Sequence, residues 1–180
     1  RYTYAQGGHG ILADLGSHGF DLIRMLLGDI DELVADTSTF IERRPIAKPG
    51  SSHFATVDVL GVGIDFGEVE NEDHFCAMVR MTNGALVTYE AGRTAVGDQC
   101  NYGFQIYGTQ GSLSWDFRRS DELSICVGDG YQGRPTQVAY GGPGDGEYGR
   151  FQPGAGVAIG YDDSKVIELA RLLQSIARGK

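Results

Sequence analysis

The sequence has little positive charge, few cysteines and no long apolar run, and each shortage removes a class of function. Fifteen Lys and Arg residues face twenty-four Asp and Glu residues, giving a formal net charge of −9 over 180 residues. A chain this acidic repels phosphate backbones and anionic lipid heads. No basic stretch compensates, so neither nucleic acid nor a membrane surface is an expected partner. No apolar run approaches the ~20 residues that cross a bilayer. Cys76, Cys100 and Cys126 are an odd number of thiols, far apart and without a CxxC pair. That pattern argues against a disulfide framework or a zinc ribbon and for free thiols in a reducing cytoplasm. The start shows no signal-peptide pattern, in line with a cytoplasmic location.

What the chain has in quantity is glycine, 28 residues scattered without a period, beside a hydrophobic fraction of 41%. The first implies many turns or close backbone approaches; the second allows a sizeable core. The length is that of one domain. The opening "RYTYAQGGHG" lacks an initiator Met and "LLQSIARGK" stops as a helix finishes, so both ends are expected to be cuts in a longer chain.

Apolar residues at Ile11, Leu15, Leu22, Ile23, Leu26 and Leu27, with Gly28 after them, predict a helix over about 12–27. A strand is expected at about 32–42, followed by a two-proline loop. Phe75, Ala77, Val79 and Met81 alternate with His74, Cys76, Met78 and Arg80. The Asn83-Gly84 turn then returns the chain as a partner strand. "YGFQIYG", "SLSWDF" and "ELSICV" continue the hairpins. Residues 128–160 read as a long glycine-rich loop, and "DDSKVIELARLLQSIARG" as an amphipathic helix with Val166, Leu169, Ala170, Leu173, Ile176 and Ala177 on its stripe. The fold class expected is α+β: a large, mainly antiparallel open sheet with helices on one face.

The first helix carries more than a core stripe. Asp14, His18 and Asp21 fall at i, i+4 and i+7, on one face at the border of the apolar stripe. Gly16 and Gly19 leave room for another backbone or a ligand. An Asp beside a His orients the imidazole and raises its basicity, which makes a general base for a hydroxyl proton. The same spacing also fits a structural histidine held by Asp14, and a carboxylate–imidazole–carboxylate metal site. Spacing alone leaves all three open.

The stretch "GGHGILADLGSHGFDLIRMLLGD" resembles the start of the second domain in the glucose–fructose oxidoreductase / inositol dehydrogenase (Gfo/Idh/MocA) family. Gly8, Gly10, Leu12, Asp14, Gly16, His18, Asp21, Leu26, Leu27 and Gly28 fit its pattern, while His9 departs from the middle glycine. "VRMTNGALVTYEAGR", "FQIYGTQGSLSWDFRRSDELSI" and "IGYDDSKVIELARLLQSIARG" extend the resemblance over almost the whole chain. The resemblance implies a two-domain NAD(P)-dependent dehydrogenase of a polyol or sugar hydroxyl, of which residues 1–180 are the substrate-binding and oligomerisation domain. The Rossmann half, with its GxGxxG fingerprint and its Glu-Lys-Pro lysine, is not in this sequence. NAD or NADP is expected to be held mainly by that missing half, and a homo-oligomer to form through the sheet.

By the same resemblance His18 and Asp14 are catalytic and meet substrate hydroxyls beside the nicotinamide, and Asp21 supports the helix. Arg93, Tyr148 and Tyr161 are weaker candidates for contacts to a sugar-like substrate. No residue is assigned to cofactor or metal binding. The competing readings are a non-catalytic interaction module and a relative that cleaves glycosides through a transient oxidation.

Overall fold

The structure, a computed structural model, describes residues 2–46, 65–130 and 133–179. Residues 47–64, which include Pro49 of the expected two-proline loop, and residues 131–132 lie outside the described residues. Contacts divide the chain into two compact units, Arg1–Gly97 and Asp98–Lys180. No helix among the described residues is long and apolar enough to cross a membrane.

The first unit begins with a single helical turn, α1 (Tyr4–Gly7), then a π-helical segment, Leu12–Gly16, that runs directly into α2 (Ser17–Leu27). Gly28 closes α2 at φ +90°, its N–H bonded to the Arg24 carbonyl. The expected helix over 12–27 is present, but its first five residues are wound wide.

Strands β1 (Ile30–Ser38), β4 (His74–Met81) and β5 (Leu86–Gly92) form an antiparallel sheet in the order β1-β4-β5. The alternation read from the sequence holds: Phe75, Val79 and Met81 are each 1% exposed or less. With Ala77 and Ile11 they make the core, against which Leu12, Phe20, Ile23, Leu27, Val87 and Tyr89 pack. Phe20 stacks on Phe75 at 6.2 Å. Leu15 and Leu26, expected in the helix stripe, are exposed instead, while Ile11, Ile23 and Leu27 face inward as expected and are joined there by Leu12 and Phe20.

β1 ends at Ser38 because the next free amides are taken elsewhere. Phe40 N and Ile41 N both donate to the buried Asp73 carboxylate, at 2.9 and 3.0 Å. The segment read as a two-proline loop starts as a short strand, β2 (Arg43–Pro45), paired with β3 (Phe66–Glu68). The Asn-Gly turn forms as expected, with Gly84 at φ +87°; Asn83 accepts from Ala85 N and donates to the Leu27 carbonyl, tying the hairpin to α2.

In the second unit β6 (Gly103–Gly108), β7 (Gly111–Asp116), β8 (Glu122–Val127) and β9 (Gln137–Tyr140) form an antiparallel sheet in sequence order. Phe104, Tyr102 and Phe117 gather around Trp115, whose Nε1 donates to the Ser120 carbonyl. β9 and a 3₁₀ turn at Gly146–Arg150 lie inside the stretch expected to be loop. α3 (Tyr161–Ala177) opens with the Gly160 N–H donating to Asp163 Oδ2 at 2.8 Å. Its inward line is Asp163, Ile167 and Ala170, whereas Val166, Leu169, Leu173 and Ile176 point outward. Of the expected stripe, Ala170 faces inward as read, and the remaining members are exposed.

Candidate active site

The site of interest lies where the helix of the first unit changes its winding. π-Turns inside α-helices recur at functional positions, and Asp14 sits in the π segment while His18 sits in the first turn of α2. Both side chains are exposed, four residues apart on one side of the helix; Asp21 is exposed a turn further on.

Three glycines make this placement possible. A Cβ on Gly10 would fall 2.0 Å from the Glu72 carbonyl oxygen. On Gly16 it would press on Leu12 and the Phe75 ring at 3.1 Å, and on Gly19 it would fall 2.2 Å from the Tyr89 ring. The helix thus lies directly on β4 and β5, with its polar side turned away from them.

The N-terminal end of the helix is fixed by Glu72. Its carbonyl accepts from Ile11 N at 3.1 Å and its Oε1 from Leu12 N at 3.0 Å. Burial alone would push this carboxyl up. The backbone N–H groups of Gly10, Glu72 itself and Leu12, with His9 nearby, outweigh burial and hold it below its ordinary value. Glu72 belongs to a buried polar trio with Asn71 and Asp73. Asn71 donates to the Gly8 carbonyl and accepts from Arg93, and Asp73 holds residues 40 and 41 as described. Sequence reasoning missed this trio. The available signal was three consecutive polar residues, "NED", immediately before a strand of strict alternation.

Of the remaining candidates, Arg93 belongs to the first unit with Asp14 and His18. Arg93, at the end of β5, donates to Asn71 Oδ1 at 2.9 Å and lies 4.9 Å from the Tyr2 ring centre. Tyr148 and Tyr161 belong to the second unit. Tyr148 is half-buried with its ring on Gly141; burial, and then the charges of Asp121 and Asp145, push its hydroxyl up. Tyr161 is exposed at the start of α3, edge-on to Phe117 and beneath the Lys165 ammonium. Among the described residues no group of three His, Cys, Asp or Glu side chains could hold a metal ion, and all three cysteines are free thiols.

Residues 1–114 match the family model of the GFO/IDH/MocA C-terminal domain. The chain belongs to the Gfo/Idh/MocA family. It is 33% identical to levoglucosan dehydrogenase of Pseudarthrobacter phenanthrenivorans, over 99% of the chain and 46% of that protein. Among solved structures it resembles levoglucosan dehydrogenase in its apo form, with 31% identity and a TM-score of 0.84 over 99% of the chain and 45% of that one. The complex of levoglucosan dehydrogenase with NADH and levoglucosan gives 29% identity and a TM-score of 0.81, over 99% of the chain and 44% of that one. An NAD-binding oxidoreductase from Klebsiella pneumoniae gives 31% and 0.79, over 97% of the chain and 43% of that one. The chain spans less than half the length of each of these relatives, and its α+β fold is that of the family's C-terminal domain.

Proposed function

We propose that this chain is the substrate-facing domain of an NAD(P)-dependent oxidoreductase acting on a secondary hydroxyl of a sugar or polyol. The observation that carries the reading is the exposed Asp14–His18 pair at a π-to-α junction braced by the buried Glu72 and by the half-buried Tyr89. The match of the same segment to the family domain, and relatives that bind NADH with levoglucosan or L-sorbose, support the class of chemistry.

The described residues do not fit a dinucleotide. Among the described residues no glycine-rich strand-to-helix turn cradles its phosphates, and the chain's net charge of −9 opposes it. A nicotinamide held outside this chain supplies the hydride acceptor. The chain's own residues manage the proton. The substrate C–H electrons leave as hydride, the O–H electrons become the carbonyl π bond, and the hydroxyl proton passes to the His18 imidazole. Asp14, four residues before His18 on the same helix, orients the imidazole. Tyr148 and Tyr161 are further proposed contacts for sugar hydroxyls. The engagement of Arg93 with Asn71 and Tyr2 supports a role in holding the end of β5 beside the site.

The test is turnover by the intact enzyme. His18→Ala is expected to lower kcat by ~10²–10⁴-fold, the usual worth of general-base assistance, with cofactor affinity unchanged. Asp14→Asn slows turnover less, and Asp21→Asn leaves it near normal. Full activity in a folded His18→Ala protein would remove the catalytic assignment.

The face of the β1-β4-β5 sheet opposite α2 carries Val34, Met78 and Leu86, at 67%, 64% and 70% exposure. We propose it as the surface through which copies associate; Val87, on the other face, packs into the core instead. Sedimentation across a concentration series tests this, and a strict monomer at high concentration excludes it.

A further inference from the structure

Two side-chain donors reach the helix backbone where its winding changes. Ser17 Oγ donates to the Asp14 carbonyl at 3.0 Å, and the Tyr89 hydroxyl donates to the Leu15 carbonyl at 2.8 Å. Asp14 and Leu15 both lie in the π segment, which ends at Gly16. A π-turn is uncommon because its geometry is poorer than that of an α-turn, and it persists where outside contacts compensate. Tyr89 arrives from β5, 74 residues along the chain from Leu15. Its ring fills the space that a side chain at position 19 would need. The ring is held edge-on by Phe20 at 5.2 Å and by Phe75 at 4.9 Å. The hydroxyl is thus delivered by a ring clamped in the core, to a carbonyl adjacent to Asp14, past a glycine adjacent to His18.

We propose that Tyr89 is a positioning residue that locks the π-to-α junction and so fixes Asp14 relative to His18. The proposal rests on the reading of those two residues as the proton-handling pair. A helix wound as α throughout would rotate Asp14 about the axis relative to His18. General-base catalysis is sensitive to displacements of that order, since a misplacement of ~1 Å can cost ~10²-fold in rate. The ring of Tyr89 packs against the core, whereas its O–H donates to the Leu15 carbonyl, so removing the hydroxyl alone separates the two roles experimentally.

Tyr89→Phe keeps the ring and removes the O–H. In the intact enzyme it is expected to lower kcat about 10-fold, with cofactor affinity unchanged and the acid limb of the kcat–pH profile displaced. In the same protein, the amides of residues 15–20 should exchange faster with solvent. Gly19→Ala reaches the junction from the other side: the added Cβ displaces the Tyr89 ring, although Ala is the better helix former. It should lower kcat in the same way, and the double variant should be no slower than the slower single variant, because both remove one interaction. An unchanged kcat, pH profile and amide exchange in a folded Tyr89→Phe protein overturns the proposal. His18→Ala, measured alongside, separates the two levels. Loss of turnover there with an unaffected Tyr89→Phe overturns the lock alone; full turnover there overturns the catalytic reading and the lock's role with it.

Discussion

The first unit seals its core and the second leaves its sheet half open. Among the described residues, the five buried apolar side chains all belong to the first unit: Ile11, Phe75, Ala77, Val79 and Met81. In the second unit β7 is half-buried along its whole length and β8 up to Cys126, with Val127 exposed, and among the unit's described residues only Gln152 is buried. The first unit also spends three polar side chains, Asn71, Glu72 and Asp73, on buried hydrogen bonds to its own backbone. Those bonds fix the entry to the helix and the exit from β1, the two places where the chain would otherwise fray. A catalytic pair needs supports that do not move, and the sealed unit is the one that carries the proposed pair, Asp14 and His18. The second unit, with its exposed strands and helix, offers surface instead.

The largest expected effect lies in the sealed core. Phe75→Ala removes a fully buried ring and should destabilise the first unit by ~3–5 kcal/mol. Phe104→Ala, on the half-covered sheet of the second unit, should cost roughly 1 kcal/mol, since only part of its area leaves water. Trp115, the sole tryptophan, sits in the second unit. Its fluorescence followed against denaturant, with amide exchange of β4 as the probe of the first unit, measures both. Equal losses for the two variants would erase the contrast between the units.

Next in size is the carboxylate at the head of the helix. The folded-state pKa of Glu72 lies below its ordinary value of 4.5. Its contribution is therefore fully present above the ordinary carboxylate range, and it is lost as pH falls through the depressed folded value. Glu72→Gln should cost about 1–2 kcal/mol at neutral pH and flatten the acid side of the stability–pH curve. Urea midpoints between neutral pH and pH 3 test this. A variant curve that runs parallel to the parent's would show that Glu72 carries no linked proton.

What was legible in the sequence was what a local pattern encodes. Phe75, Ala77, Val79 and Met81 alternate because one face of β4 meets α2 and the other does not, and period two records that directly. The Asn83-Gly84 turn needs a positive φ, which glycine announces. Asp14 and His18 were visible as polar residues on an apolar helix, and the family pattern gave them meaning. The remainder depended on partners distant in sequence. Glu72 caps a helix 60 residues away, and Tyr89 bonds one 74 residues away; the "NED" run marks the first as unusual but names no partner, and nothing local marks the second. β9 was hidden because all four of its residues are exposed, so no alternation marks it, and it exists through its pairing with β8. The π segment escaped because a single extra residue in one turn hardly disturbs an apolar period.

The smallest effect is the most informative about the second unit. The outward stripe of α3 shows Leu169 at 55%, Leu173 at 57% and Ile176 at 64% exposure, although a helix of a globular protein normally turns such a stripe inward. Leu173→Gln removes apolar surface that is already in water, so its cost should stay within about 0.5 kcal/mol. Ile167→Ala, on the inward line of the same helix, should cost roughly 1 kcal/mol by loss of half-buried methylene and methyl groups. Helix propensity cannot mimic this ordering: Ala is a better helix former than Ile and would lessen the second loss, while Leu and Gln differ little. Denaturant midpoints for both variants, read by Trp115 fluorescence, decide between the faces. If Leu173→Gln proves the more costly, the outward stripe is covered in solution, and the second unit is as closed as the first.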